Sequence, residues 1–271
     1  MTTNIVNNPQ TSNPVRTALL LAAGTGSRLQ PLTHEAPKCL TEINGVPILE
    51  QQVRCLEQWG FERLVVVLGH MEDSIRDFLE RCTSVLRIEY ITNPIYRTTN
   101  NIYSLWVARE VVREPFLLLE SDLFFDSPLL GPMLWEDSIA VSTIQPWMTG
   151  STVELDQCGR VVSMHVGAGA KLGSSSLKTV NIYSLSAATW RDVSERLDRH
   201  ITAGNVGDYY EIVFSELIAE GAISLRPVLF DPDRWYEIDT LVDLEEAERI
   251  FLGPTPARSS QSLRGFAGPR P

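Results

Sequence analysis

The chain has 271 residues, of which 44% are apolar and 21% are charged, which is the composition of a globular protein with a full buried core. Acidic residues outnumber basic residues by 34 to 23, and the resulting net charge of −11 disfavours a broad surface for nucleic acid or anionic membranes. Because no apolar run approaches the ~20 residues of a membrane span and no signal-peptide pattern is present, we expect a cytoplasmic protein.

The two ends of the chain are poor in residues that a core could bury. Residues 1–15 are rich in Asn and Thr, and residues 253–271 are mostly Gly, Pro, Ser and Arg. Such segments lack the apolar surface that offsets the entropy of ordering a chain. We therefore predict a disordered leader over residues 1–15, a disordered tail over residues 253–271 and one folded domain over residues 16–252.

The first half of this domain alternates buried strands with amphipathic helices. Thr17–Ala23 is a continuous apolar run typical of a strand buried on both faces, and Pro47 opens a helix with apolar residues at helical spacing. The pattern then predicts, in order, a strand over 64–68, a helix over 72–81, a strand over 86–91, a helix from about 102 and a strand over 116–120. This alternation is typical of a Rossmann-like, doubly wound α/β sheet.

Short strands joined by tight turns are more frequent in the second half. The pattern predicts strands over 138–142, 152–155, 161–166 and 179–183, helices over 186–201 and 208–219, strands over 225–229 and 235–238, and a last helix over 241–251. These elements predict a mixed sheet with a small β-rich subdomain.

The cysteines point to no metal or disulfide framework. Cys39, Cys55, Cys82 and Cys158 are widely spaced and form no Cys-x-x-Cys pair. We expect reduced, idle thiols, as in a reducing compartment.

A glycine-rich loop, Leu21-Ala-Ala-Gly-Thr-Gly-Ser-Arg-Leu29, follows the first strand. Glycines at this place let backbone N–H groups approach an anion closely. A dinucleotide fingerprint would require a third glycine where Leu29 stands, and a Walker loop would require Gly-Lys-Ser/Thr, which is absent. Arg28 and Lys38 instead place two cations beside a site of polyphosphate size.

The string LAAGTGSRLxPLT…PK resembles the loop of nucleotidyltransferases of the sugar-1-phosphate and choline-phosphate type. The resemblance spans about residues 16–251 and implies that residues 16–135 mainly bind the nucleotide and residues 136–252 mainly the acceptor. It implies that Arg28 and Lys38 are catalytic, because they stabilise the triphosphate and its transition state. It also implies that the nucleotide is wrapped by Leu21, Ala22, Ala23, Gly24, Thr25 and Gly26.

Two aspartates are candidate metal ligands. Asp122 follows the strand over 116–120, where side chains point into the crevice at the carboxyl ends of parallel strands, and Asp239 lies in the string Trp235-Tyr-Glu-Ile-Asp-Thr240. Each could instead be a turn or helix-capping residue. Both positions match metal-binding aspartates of the same family, so the resemblance implies that Asp122 and Asp239 hold Mg²⁺, with phosphate oxygens and waters as further ligands.

Two successive asparagines open the string Asn100-Asn-Ile-Tyr-Ser-Leu105. Paired amides suit the edge of a base or ribose, although Asn is also common as a helix cap. We predict that Asn100, Asn101 and Ser104 bind the nucleotide. The string is similar to that of the LicC-like choline-phosphate cytidylyltransferases, which implies CTP, whereas spacing alone leaves UTP and dTTP open.

The acceptor pocket is expected in the second half, where a cation, carboxylates and aromatic rings could hold a small charged molecule. The aromatic residues could equally fill the core. The chain lacks the aromatic cage residue of choline-phosphate enzymes near Thr152, and the strings LLLESDL and STVEL resemble the phosphonate cytidylyltransferases, which load 2-aminoethylphosphonate onto CMP. This favours 2-aminoethylphosphonate or a related phosphonate, with phosphocholine close behind. The predicted acceptor-binding residues are Thr152, Lys178, Asn181, Tyr210, Glu211, Trp235 and Glu237.

Transfer of CMP to an ionised phosphate or phosphonate needs positioning and charge neutralisation but no general base, and none of the four histidines belongs to a catalytic constellation. Two other functions stay open. A sugar-1-phosphate nucleotidylyltransferase would use a different acceptor pocket. A catalytically silent regulatory module is disfavoured because both cations and both aspartates are present. The oligomeric state also stays open, with a homodimer as one alternative.

Overall fold

The computed structural model describes residues 14–82, 84–167 and 176–252. The predicted tail and the first thirteen residues of the predicted leader lie outside these ranges. Val15 is buried, and its N–H donates to the carbonyl oxygen of Leu134 at 2.8 Å. Ordered packing therefore begins at least one residue before the predicted domain start at Arg16.

The helices and strands alternate as far as β6 and become strand-rich after it. The strands are β1 (Thr17–Ala22), β2 (Glu42–Ile43), β3 (Val46–Pro47), β4 (Arg63–Leu68), β5 (Arg87–Thr92), β6 (Phe116–Glu120), β7 (Leu123–Phe125), β8 (Ser138–Ser142), β9 (Thr152–Leu155), β10 (Val161–His165), β11 (Ser176–Leu185), β12 (Arg226–Phe230) and β13 (Trp235–Glu237). The α-helices are α1 (Ile48–Gln58), α2 (Glu72–Arg81), α3 (Asn101–Ala108), α4 (Ala187–Thr202), α5 (Glu211–Ala219) and α6 (Leu241–Ile250).

Nine of these strands form one mixed sheet. Strands β5, β4, β1 and β6 run parallel in that order, and β11 joins β6 antiparallel. The long strand β11 also pairs with β8 and β9, while β12 runs parallel to β8 and β10 closes the far edge beside β9. The predicted α/β fold with a mixed, doubly wound sheet is confirmed.

The parallel strands are buried on both faces because helices cover each side. All six residues of β1 and of β4 are buried, and alternate residues contribute to two separate apolar clusters. Leu20 and Val66 belong to the cluster under α1 and α2, whereas Leu19 and Val65 belong to the cluster under α3, α4 and α5. Burying an apolar side chain of this size contributes about 1.5–3 kcal/mol, so these strands anchor the fold.

A small antiparallel ribbon, β7 with β13, lies beside the main sheet. Leu123 pairs with Glu237, and the N–H of Ile238 donates to the carbonyl of Asp122 at 2.9 Å. On this ribbon Tyr236 stacks against Trp147 of the β8–β9 connection, with ring centroids 4.4 Å apart and planes at 13°. The ribbon brings the C-terminal part of the chain back to the end of β6.

Several element bounds differ from the sequence expectations. The strand predicted over 179–183 extends over all of β11, most of whose residues are buried, polar ones included. The helix predicted from 208 begins at Glu211. Strands β2, β3 and β7 were not predicted, since two or three residues carry too little periodicity to be recognised. Within the described ranges, no helix has the length and apolarity to cross a bilayer.

Candidate active site

A cavity of about 430 Å³ opens at the carboxyl ends of β1, β5 and β6. This is the edge at which open α/β sheets bind their ligands. The cavity joins the glycine loop to both predicted metal ligands and to the asparagine pair. Its walls are formed by Leu21, Ala23, Gly24, Thr25, Gly26, Ser27, Arg28, Lys38, Tyr96, Arg97, Thr99, Asn100, Asn101, Ser104, Glu120, Ser121, Asp122, Tyr209 and Asp239.

The glycine loop leaves β1 as irregular chain and tightens into a 3-10 turn over Ser27–Leu29. Gly26 precedes this turn with φ of 61°, a left-handed conformation that glycine adopts without strain. Its carbonyl accepts the hydroxyl of Thr33 at 2.9 Å, and a Cβ at this position would lie 2.9 Å from Cβ of Lys38. The loop is therefore shaped to hold Lys38 against it. Of the predicted loop residues, Ala22 alone lies in the strand and off the cavity wall.

Lys38 connects the two aspartates. Its Nζ lies 2.8 Å from Oδ2 of Asp122 and 2.7 Å from Oδ1 of Asp239, and Arg28 reaches the same Oδ1 at 2.8 Å. Burial lowers the pKa of Lys38, but the charges and hydrogen bonds of both aspartates outweigh this effect and leave the pKa above its usual value. Lys38 is therefore a permanent cation, with its side chain 13% exposed.

Two structural features hold Asp122 and Asp239 in position. Gln52 of α1 is buried, and its Nε2 donates to the carbonyls of Glu120 and Leu123 at 2.8 and 2.9 Å, so it holds the turn that carries Asp122. The β7–β13 ribbon carries Asp239. The N-cap of α6 is Thr240 in a capping box, so Asp239 is not the helix cap that the sequence left as an alternative.

Three carboxylates could hold a divalent cation. Oxygens of Asp122, Glu237 and Asp239 lie within 4.8 Å of one another. Oδ1 of Asp122 is buried and has no hydrogen-bond partner among the residues that the structure describes, which leaves it free to ligate. Hard oxygen donors at this spacing suit Mg²⁺. The residues therefore fit the cofactor that the family implies, and Glu237 joins the two predicted aspartates.

The asparagine pair forms hydrogen bonds within the protein. Asn100 is the N-cap of α3, since its side chain accepts the N–H of Asn101 at 2.8 Å. Asn101 donates from Nδ2 to Oε1 of Glu120 at 3.2 Å, and its Oδ1 accepts the N–H of Tyr210 at 3.0 Å. Ser104 is buried and shares a hydrogen bond with Asn93. All three predicted residues line the cavity, and the capping interpretation is correct for Asn100.

The predicted acceptor residues lie behind the cavity wall. Lys178 is 3% exposed, and its Nζ donates to the carbonyl of Thr179 at 2.6 Å and lies 3.6 Å from Oε2 of Glu237. Burial raises the pKa of Glu237 to about 7, although Lys178 opposes the shift. Asn181 holds a left-handed backbone, with φ of 58°, in an irregular part of β11, and its Oδ1 accepts the hydroxyl of Thr179.

The predicted aromatic contacts belong to the core. Trp235 is 1% exposed, and Tyr210 is fully buried with its ring edge-on to Tyr183 and Phe214. Neither lines the cavity, so the structure favours core filling for both. Thr152 is also buried, and within the described part of the chain its hydroxyl has no hydrogen-bond partner.

Sequence reasoning missed part of the wall. Glu120 reads as the last residue of a strand, and Tyr96, Arg97, Thr99 and Tyr209 belong to connections whose path no periodicity predicts. Arg97 covers the ring of Tyr96 at 5.2 Å. The only available signal was position, because Glu120 comes two residues before a predicted metal ligand.

Comparison with known proteins relates about half of the chain to a known domain. A profile of the MobA-like NTP transferase domain matches residues 18–150, which contain β1 without its first residue, the elements from there to β8, the glycine loop and Asp122. The NTP transferase match and the cavity therefore coincide at the carboxyl edge of the parallel strands.

Curated relatives extend the similarity beyond this domain. The chain is 33% identical over 264 residues to a CMP-5'-(3-aminopropyl)phosphonate synthase of Streptomyces rubellomurinus, a match that covers 93% of this chain but 41% of that protein. It is 29% identical over 245 residues to a 2-aminoethylphosphonate cytidylyltransferase of Lancefieldella rimae, covering 89% of this chain and 96% of that protein. The chain thus spans less than half the length of the Streptomyces relative.

The fold of the chain also occurs in a solved structure. The CTP:phosphocholine cytidylyltransferase LicC of Streptococcus pneumoniae superposes with a TM-score of 0.76 at 21% identity, covering 88% of this chain and 99% of that one. At this identity the likeness shows the fold, which includes the strands that surround the cavity.

Proposed function

We propose that the protein is a magnesium-dependent cytidylyltransferase. It transfers CMP from CTP to the phosphonate or phosphate of a small amine or alcohol and releases pyrophosphate. The favoured acceptor is 2-aminoethylphosphonate or a related phosphonate, with phosphocholine next. The observation that carries the proposal is the contact of Lys38 and Arg28 with two clustered aspartates beside the glycine loop of an NTP transferase domain.

The cavity supports binding of a nucleoside triphosphate. Backbone groups of residues 24–26 line it, and Arg28 and Lys38 add positive charge beside them. The choice of CTP rests on the Asn-Asn-Ile-Tyr-Ser-Leu string and on two curated relatives, one named a CMP-5'-(3-aminopropyl)phosphonate synthase and the other a 2-aminoethylphosphonate cytidylyltransferase.

The reaction exchanges one phosphoanhydride for another. An ionised oxygen of the acceptor attacks the α-phosphorus of CTP, an O–P bond forms there, and the bond to the β-phosphate breaks with its electrons on pyrophosphate. Since the attacking oxygen is already an anion, no protein base takes a proton. Arg28 and Lys38 neutralise charge on the triphosphate and on the departing pyrophosphate. Mg²⁺ held by Asp122 and Asp239 would add further charge neutralisation and orientation of the phosphates.

A pyrophosphate-release panel tests this proposal. CTP, UTP and dTTP are each combined with 2-aminoethylphosphonate, phosphocholine and glucose 1-phosphate in the presence of Mg²⁺. We expect the highest kcat/KM with CTP and 2-aminoethylphosphonate. A preference for UTP or dTTP with the sugar phosphate would instead support a sugar-1-phosphate nucleotidylyltransferase, and binding of CTP without any turnover would support a regulatory module.

The metal assignment has its own control. Asp122→Ala should abolish magnesium-dependent turnover while the circular dichroism spectrum stays native. Asp126→Ala is the matched control, because Asp126 follows β7 and pairs with Arg234 at 2.9 Å, outside the cavity wall. Full activity of Asp122→Ala would remove Asp122 from the metal site.

A further inference from the structure

One buried side chain reaches the turn between β6 and β7 from behind the cavity wall. Gln52 lies on α1, is 1% exposed and is not part of that wall. Its Nε2 group donates to the carbonyl oxygen of Glu120 at 2.8 Å and to that of Leu123 at 2.9 Å. Because both partners are acceptors, they fix which end of the amide faces the turn. The two carbonyls flank Asp122, so a single amide spans the turn that carries this aspartate.

The other end of the same amide is unpaired. In the described ranges of the chain, the buried Oε1 of Gln52 has no hydrogen-bond partner. A buried acceptor without a partner costs about 1–3 kcal/mol, and an apolar side chain of the same shape would avoid that cost. Packing alone therefore does not account for an amide at this position. What the amide adds is a pair of N–H donors at the turn.

The same turn supports the segment that carries the other carboxylates. The N–H of Ile238 donates to the carbonyl oxygen of Asp122 at 2.9 Å. Leu123 pairs with Glu237 in the β7–β13 ribbon, and Asp239 follows two residues after Glu237. All three carboxylates of the candidate cation site are thus attached to a turn that one amide spans.

Helix α1 also supports the cation that faces these carboxylates. Its first residue, Ile48, donates from its N–H to the carbonyl oxygen of Thr41 at 3.0 Å, and the helix packs against the turn Lys38–Leu40. From this turn, Nζ of Lys38 reaches Oδ2 of Asp122 at 2.8 Å. The helix that carries the amide therefore supports both partners of this ion pair, which limits how far the carboxylates can move.

We propose that Gln52 is a positioning residue that holds the three carboxylates at the spacing of a small divalent cation. This inference rests on the proposed function and specifies how its cation site selects an ion. Mg²⁺ requires near-ideal octahedral geometry with oxygens at about 2.0–2.1 Å, whereas Ca²⁺ accepts flexible arrangements at about 2.3–2.6 Å. A turn held from behind keeps the ligands from moving apart and so favours the smaller ion.

The substitution Gln52→Met tests the proposal, because methionine is close to glutamine in length and has no N–H donor. Binding of Mn²⁺ is measured by electron paramagnetic resonance without nucleotide, and Mg²⁺ or Ca²⁺ is then added as a competitor. We expect Mg²⁺ affinity to fall by about 10- to 100-fold, the usual effect of removing a group that orients metal ligands. Ca²⁺ affinity should fall by less than about 3-fold, because Ca²⁺ tolerates displaced ligands.

Gln51→Met is the matched control, one residue earlier on the same helix. Nε2 of Gln51 donates to the carbonyl oxygen of Phe125 at 2.9 Å, at the end of β7 and three residues beyond Asp122. The control removes a hydrogen bond of the same kind outside the turn, so both affinities should stay as in the parent protein. Parental Mg²⁺ affinity in Gln52→Met would overturn the proposal. Equal losses for Mg²⁺ and Ca²⁺, or an equal loss in Gln51→Met, would overturn it as well.

Circular dichroism checks that each variant is folded. If Gln52→Met does not fold, Gln52→Leu repeats the measurement with a branched apolar side chain. Unfolding of both variants while Gln51→Met stays native would assign Gln52 a structural role only and overturn the proposal.

The cation measurements need neither CTP nor an acceptor, so they separate this inference from the proposed reaction. Absence of pyrophosphate release from the parent protein with every acceptor would overturn the proposed function, whereas the selective loss of Mg²⁺ affinity in Gln52→Met would still support the positioning role. Absence of Mn²⁺ binding in the parent protein would overturn the positioning role itself.

Discussion

At the scale of single residues, Lys38 occupies the position between Asp122 and Asp239 where a divalent cation would be bound. Its ammonium group makes hydrogen bonds of 2.8 and 2.7 Å to the two carboxylates. Arg28, whose side chain is 68% exposed, also pairs with Asp239. In the free protein this contact neutralises the two carboxylates, and a divalent cation bound by them would have to displace it.

Removal of the Lys38 ammonium group should lower turnover and, at the same time, raise the affinity for a divalent cation. In Lys38→Met, we expect turnover to fall by about 10³-fold, because a charge that stabilises the transition state is lost. Binding of Mn²⁺ without nucleotide should become at least several-fold tighter, because the internal competitor is gone. Electron paramagnetic resonance of free Mn²⁺ measures the second quantity.

Arg234→Met provides the control for a general change in charge. Arg234 pairs with Asp126 outside the cavity wall, so both turnover and Mn²⁺ affinity should remain as in the parent protein. Weaker Mn²⁺ binding in Lys38→Met would show that Lys38 organises the aspartates rather than competing for them.

The buried carboxyl of Glu211 predicts a pH dependence of stability. Its pKa is raised in the folded protein, so between the unfolded and folded pKa values the folded state binds more protons, and the free energy of unfolding falls as pH rises. In the ligand-free protein, Glu211→Gln should raise Tm at pH 8 by about 2–4 °C for each kcal/mol recovered. Near pH 4.5 the two proteins should unfold at the same temperature.

Glu216→Gln should show the opposite sign, because hydrogen bonds from Arg196 and His200 outweigh desolvation and lower the pKa of Glu216. Its stabilising contribution is present above the unfolded pKa and is lost as pH falls. Differential scanning calorimetry from pH 4.5 to 8 compares both variants. A Tm of Glu211→Gln below that of the parent at pH 8 would contradict the assigned cost of burying this charge.

At the scale of elements, the glycine loop contains two glycines with different constraints. Gly26 has a left-handed backbone, and a Cβ there would meet Cβ of Lys38 at 2.9 Å and Cγ2 of Thr33 at 3.1 Å. Around Gly24, apart from its chain neighbours, no atom of residues 14–82, 84–167 or 176–252 lies within 4 Å of a Cβ position. Gly26 is required by the fold of the loop, whereas Gly24 leaves a space beside the loop into which a phosphate could move.

Alanine at each position should therefore have a different effect. Gly26→Ala should lower the free energy of unfolding by about 1–2 kcal/mol, through backbone strain and the clash, and should also impair turnover. Gly24→Ala should keep parental stability but raise KM for CTP. Urea unfolding and steady-state kinetics measure both effects. Parental stability of Gly26→Ala would contradict the strain argument.

At the scale of the whole molecule, β11 joins the two halves of the chain. Its C-terminal residues pair with β6 of the parallel part, and the rest pairs with β8 and β9. The sheet is continuous through this strand, so the two halves of the chain cannot separate without breaking it. Urea denaturation should show one transition, coincident by tryptophan fluorescence and far-ultraviolet circular dichroism. Two transitions would indicate independently folding halves.

The sequence predicts the charged residues of the site better than the contacts among the residues of the cavity wall. Asp122 and Asp239 were predicted because each lies in a recognisable string, and Lys38 because of its spacing from the loop. The bond between Glu120 and Asn101 follows only from the pairing of β6 with β1 and the start of α3, which are tertiary events. Burial of Tyr210 and Trp235 was equally unpredictable, since an aromatic residue suits a core and a pocket alike.

Trp147 is an intrinsic fluorescent probe of the β7–β13 ribbon. Its indole is 41% exposed and lies flat on Tyr236, which is the neighbour of Glu237 and stands three residues before Asp239. Any movement of the β7–β13 ribbon changes the hydration and the ring overlap of this indole, so its emission spectrum should shift when the ribbon moves. Trp147→Phe would show which part of the emission comes from Trp147 rather than from the other tryptophans. Stopped-flow mixing could then time the movement without a label.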